Sequence, residues 1–64
     1  MVSIRNSAQS VEARILDAAA ACILAYGVER TTLTEIARRA RVSRPTIYRR
    51  WPDIRWVIGE LLTL

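Results

Sequence analysis

The 64-residue chain carries ten arginines and no lysine against six acids, for a net charge of +4, and 52% of its residues are apolar. A chain this short holds one domain around one small core; its apolar share is too high for a disordered segment, and its longest uncharged apolar run, Ala18 to Tyr26, is too short to span a membrane. With Cys22 as the sole cysteine and no histidine, neither an internal disulfide nor a Cys/His metal site can be assembled, so no cofactor is expected and a reducing, cytoplasmic setting fits best.

The opening residues, MVSIRNSAQS, lack the apolar region and small-residue cleavage site of a secretory leader. Residues 1–9 read as a flexible polar arm whose Arg5 is a candidate for an adjacent minor groove. From about Ser7 to Tyr26, Val11, Ile15, Ala18 or Ala19, Cys22 and Tyr26 recur at helical spacing, with Glu12, Arg14 and Asp17 mostly on the other side. Cys22 on that apolar face reads as an inert core residue. Gly27 is placed to stop the helix in a left-handed conformation, with Val28 anchoring the exit.

Thr32 followed by Glu35 forms a capping box for a short second helix, about Leu33 to Ala40, that buries Ile36, Ala37 and Ala40. Arg38 and Arg39 lie opposite that face and read as solvated surface. Arg41, Val42 and Ser43 make the connection, and Ser43 is a good N-cap for a third helix from about Arg44 to Arg50, with Ile47 and Trp51 facing the core. Pro45 is tolerable in a first turn, whose amides have no intrahelical acceptor. Pro52 and Asp53 break and restart the chain, leading to a fourth helix with Ile54, Val57, Ile58 and Leu61 on one face. Trp56, Leu62 and Leu64 lie outside that stripe, so the helix expects a second neighbour and the sequence reads as a fragment whose missing part covers it. Tyr26, Trp51 and Trp56 are expected as core or interface aromatics. The fold expected is all-α, four helices over residues 10–64, the second and third forming a helix-turn-helix.

Between positions 38 and 55 stand seven arginines and one acid, Asp53, a formal +6 within a chain of +4. The third helix holds Arg44, Pro45, Thr46, Tyr48, Arg49 and Arg50 around its solvent side. Arginine can pair with guanine O6 and N7, threonine and proline offer apolar contact to a thymine methyl, and tyrosine can reach a phosphate. Thr32 and Ser43 read as helix caps, and the free N–H groups at those helix starts also suit a phosphate. Catalysis has no support, since without histidine and with scattered acids no nucleophile–base pair or carboxylate dyad can form. Two rival readings are an amphipathic membrane-surface peptide, suggested by RRWPDIRW, and a protein-interaction module gripping an acidic partner.

The segment from about Arg14 to Leu62 resembles the amino-terminal DNA-binding domain of TetR-type transcriptional repressors. The match is carried by ILDAAAACILAYGVERTTL, LTEIARRARVS and PTIYRRW. By that resemblance Arg44, Pro45, Thr46, Tyr48 and Arg49 face bases, with Thr34 a further base reader on the second helix. Thr32, Ser43, Tyr48 and Arg50 match phosphate contacts. The resemblance also implies a homodimer on a palindromic double-stranded DNA operator, and a small-molecule inducer bound by a larger carboxy-terminal domain that relieves repression. Two positions depart from the family pattern. Arg41 stands where the turn commonly has glycine, and Ile54 stands where a phosphate-binding lysine is common. Arg55 is adjacent and is a candidate substitute for that lysine, although a one-residue shift turns a helical side chain by about 100°.

Overall fold

Ser10 starts the first helix by accepting the Ala13 N–H on its hydroxyl at 3.1 Å, and α1 then runs Val11–Tyr26. The structure, a computed structural model, describes residues 10–63. The expected helical residues 7–9, the arm with Arg5, and Leu64 lie outside the described residues. After α1 come a single 3-10 turn, Val28–Arg30, then α2, Leu33–Ala40, α3, Arg44–Arg50, and α4, Ile54–Leu62. Among the described residues there is no strand, and no helix is long and apolar enough to cross a membrane.

The core draws Ile15, Ala18, Ala19 and Cys22 from α1, Leu33, Ile36, Ala37 and Ala40 from α2, Ile47 from α3, then Trp51 and Val57. Small side chains on both α1 and α2 let those helices pack closely, and Ile36, Ile47 and Val57 are wholly enclosed. Val57 faces α1 while Ile54 and Leu61 pack at the core's edge, so the expected stripe of α4 is the buried one. Trp56 (65% exposed) and Leu62 (81%) point to solvent. Of the three aromatics read as core or interface, only Trp51 is in the core. Tyr26, at the end of α1, is 57% exposed.

Gly27 stops α1 as expected, but at φ 91, ψ 159 rather than in the left-handed helical region. With ψ extended the chain leaves the helix axis instead of curling back on it, so Val28 stays half exposed and does not anchor the exit. The anchor is Thr31, which is buried and donates its hydroxyl to the Gly27 carbonyl at 2.8 Å. An added Cβ at Gly27 meets nothing within 4 Å, so it is the positive φ alone that calls for glycine there.

Candidate nucleic-acid interface

The turn that aims α3 is built on Arg41, which adopts φ 63, ψ 46. Its N–H bonds to Arg38 O at 3.2 Å and the Val42 N–H to Ala37 O at 3.0 Å, the two-bond left-handed stop that glycine usually makes. Of the two outcomes open to a non-glycine residue here, a left-handed Arg41 or a differently shaped turn, the first is found. Arg14 braces it from α1, donating from one guanidinium nitrogen to Ala40 O at 2.6 Å and Arg41 O at 3.4 Å. Those carbonyls are among the last of α2, which have no intrahelical donor, and a cation at a helix C-terminus also meets the negative end of its dipole.

Ser43 caps α3 through the Thr46 N–H at 3.4 Å, and its hydroxyl lies 2.8 Å from Thr46 Oγ1. Pro45 occupies the first turn, where its missing N–H costs no bond. At the other end the Trp51 N–H bonds to Ile47 O at 2.9 Å. With Ile47 and Trp51 inward, Arg44, Pro45, Tyr48 and Arg49 are exposed and Thr46 is half-buried. Among the described residues neither Arg44 nor Arg49 belongs to an ion pair, so both guanidinium groups are available to an anionic or acceptor-rich partner. Thr34 is half-buried in the first turn of α2.

The expected phosphate contacts divide into two groups. Thr32 caps α2 by accepting the Glu35 N–H at 3.2 Å. The Glu35 carboxylate turns to Arg38 at 3.8 Å, leaving the capping box half made. Thr32 and Tyr48 line one open cleft of about 230 Å³ with Asp53 and Ile54, which brings the starts of α2 and α4 beside the tyrosine of α3. Arg55 is exposed and pairs with Asp53 at 3.2 Å. Asp53 caps α4 by accepting the Arg55 N–H at 3.2 Å; that bond, seconded by the Arg55 guanidinium, holds its carboxyl below the ordinary aspartate range although the group is solvent-exposed.

Arg50 is placed differently. Its Nε lies 3.1 Å from a Glu12 carboxylate oxygen on α1 and its NH2 3.4 Å from Glu60 on α4. Its guanidinium also sits 5.5 Å above the Trp51 ring, whose Nε1–H donates to the other Glu60 oxygen at 2.8 Å. Arg14, Glu12 and Glu60 are thus structural partners that the sequence reading did not find. Each acts across a tertiary contact, and no local spacing signals it.

A larger cleft, about 500 Å³, lies between α1 and the end of α2, lined by Arg14, Asp17 and Arg39 among others. Its Arg14 is already bonded to the α2 carbonyls, whereas Arg39 and Arg41 on its rim are exposed and, like Arg44 and Arg49 of α3, belong to no ion pair among the described residues.

A short capped helix presented outward after a left-handed turn, with Arg44 and Arg49 outside any ion pair among the described residues, defines a helix-turn-helix DNA-binding domain. The model of the bacterial regulatory proteins, tetR family, matches residues 15–60, and the chain belongs to that family. It is 57% identical over 63 residues to HTH-type transcriptional regulators of Mycobacterium tuberculosis and Mycobacterium bovis, covering 98% of this chain and 33% of each relative. It is 43% identical over 51 residues to the HTH-type transcriptional regulator AqdR of Rhodococcus erythropolis, covering 78% of this chain and 25% of that protein. The chain therefore spans about a third or less of the length of these relatives. No solved structure matches it. Family and fold together make this chain a helix-turn-helix DNA-binding domain of that family, and do not favour the membrane-surface or acidic-partner readings.

Proposed function

We propose that the domain reads a double-stranded operator by laying α3 in the major groove. Arg44, Pro45, Thr46, Tyr48 and Arg49 then meet base edges, and Thr34 reaches a base from α2. Thr32, Ser43 and Tyr48 hold phosphates. Arg55 joins them by exchanging its exposed carboxylate partner for the backbone. The observation that carries the reading is the pair of unpaired guanidinium groups, Arg44 and Arg49, on a helix whose opposite edge is buried through Ile47 and Trp51.

The whole regulator acts as a cytoplasmic homodimer on a palindromic site, each copy supplying one such head, and a small inducer bound by further sequence relieves repression. The domain has no enzymatic role. Selection of bound duplexes from a random pool tests the reading, with a two-fold symmetric consensus as the expected result. On the selected duplex, Arg44→Ala and Arg49→Ala each cost about 1–3 kcal/mol and relax preference at one base position. Equal weakening on every sequence means that these arginines touch only phosphates.

A further inference from the structure

Arg50 stands one residue beyond Arg49, on the same cationic helix, and the family pattern makes it a phosphate contact. Its surroundings support another role. A guanidinium free to meet DNA has no need of two carboxylates, whereas this one lies between Glu12 at 3.1 Å and Glu60 at 3.4 Å, over the Trp51 ring. Glu60 is shared, since its second oxygen accepts the buried indole N–H at 2.8 Å. The three elements joined are the start of α1, the end of α3 and the body of α4. α3 has only 7 residues and one wholly buried side chain, Ile47, so its own packing fixes its depth better than its rotation or tilt. A planar fork held at both prongs fixes the remaining freedom at the C-terminal end of the helix. Each pair is about half exposed and adds little stability alone. Geometry is what such a network supplies.

We propose that Arg50 is a positioning residue for DNA recognition: clasped by Glu12 and Glu60 over Trp51, it sets the angle at which α3 presents Arg44, Tyr48 and Arg49 to the groove. The proposal rests on the DNA-reading role of α3 given above.

Four variants of the 64-residue chain, Glu12→Gln, Glu60→Gln, Arg50→Lys and Arg50→Ala, test it on the selected duplex and on a scrambled duplex of the same length. The Glu60→Gln change keeps an acceptor for the indole and removes only the charge. The clasp predicts that each glutamine variant loses about three- to thirtyfold in affinity for the selected duplex, with binding to the scrambled duplex unchanged or tighter. If Arg50 instead touches phosphate, removing a competing carboxylate frees it and both duplexes bind tighter, which overturns the proposal. Lysine keeps the charge but cannot hold two carboxylates with one planar group, so Arg50→Lys loses selectivity while its plot of log affinity against log salt keeps the parent slope. A slope lower by about one in Arg50→Ala marks a lost phosphate contact and likewise rejects the clasp.

The Trp51 indole N–H resonance, read without DNA, checks the network in folded protein. It shifts in Glu12→Gln and Arg50→Lys if the clasp exists and stays in place if it does not, since Glu12 reaches the indole only through Arg50. Should the parent chain select no sequence at all, the DNA reading fails by itself, and the indole resonance still reports whether the clasp forms.

Discussion

Arg41 holds a conformation that costs an L-residue roughly 1–2 kcal/mol and costs glycine no Cβ clash. Arg41→Gly relieves that strain and adds some unfolded-state entropy, so a net gain of roughly 0.5–1 kcal/mol is expected in thermal or urea unfolding. A loss would mean that the exposed Arg41 side chain makes a contribution larger than the strain. Arg14 acts on the same turn from the other side. Truncating it to alanine leaves two carbonyls at the end of α2 to water alone, and a loss of about 1 kcal/mol is expected on denaturant titration, since the site is partly buried. Arg14→Ala should leave unfolding unchanged only if water replaces both bonds without loss.

At the scale of elements, each helix carries its own start signal: Ser10, Thr32, Ser43 and Asp53 all accept a backbone N–H within the first turn that follows. Asp53 gives this a pH dependence. Its carboxyl is held below the ordinary aspartate range, chiefly by the Arg55 N–H, so the folded state favours the ionised form. The contribution of that cap is fully present above the unfolded-state aspartate pKa and is lost as pH falls through the lower folded-state value. The melting temperature of the parent chain is therefore expected to fall on acidification more steeply than that of Asp53→Asn, and parallel curves would contradict the assignment.

These caps explain why the boundaries of α2 and α3 and the start of α4 were legible in the sequence: caps and stops are interactions within a few residues, visible as spacing. The exit from Gly27 was legible only in part, because glycine permits several positive-φ conformations and Thr31 settles which one by burying its hydroxyl against the chain. Arg14, Glu12 and Glu60 were not legible at all, since Arg14 meets its partners only where α1 packs on α2, and the two glutamates meet theirs only where α1 and α4 come together at the end of α3. The same limit applies to Arg50: its place on the helix was readable and its partners were not.

At the scale of the whole molecule, seven arginines and one acid between positions 38 and 55 put a formal +6 into one stretch of a +4 chain. Association with duplex DNA should then weaken with salt, with a slope of log affinity against log salt of about −2 to −4, corresponding to two to four neutralised phosphates. A slope near zero in a filter or fluorescence titration would be incompatible with arginine–phosphate contacts. On the proposed homodimeric reading, a single head on a half-site should bind weakly and gain strongly when two are joined.

The two tryptophans, five positions apart, meet opposite surroundings: Trp51 is 2% exposed and Trp56 65%. They make the molecule its own optical gauge. Acrylamide can strike the ring of Trp56 while that of Trp51 is shielded, so emission divides into a quenchable red component and a protected blue one. Loss of the blue component times the opening of the core around α3, and a dimming or shift of the red one registers anything that comes to rest on α4, without a dye or label.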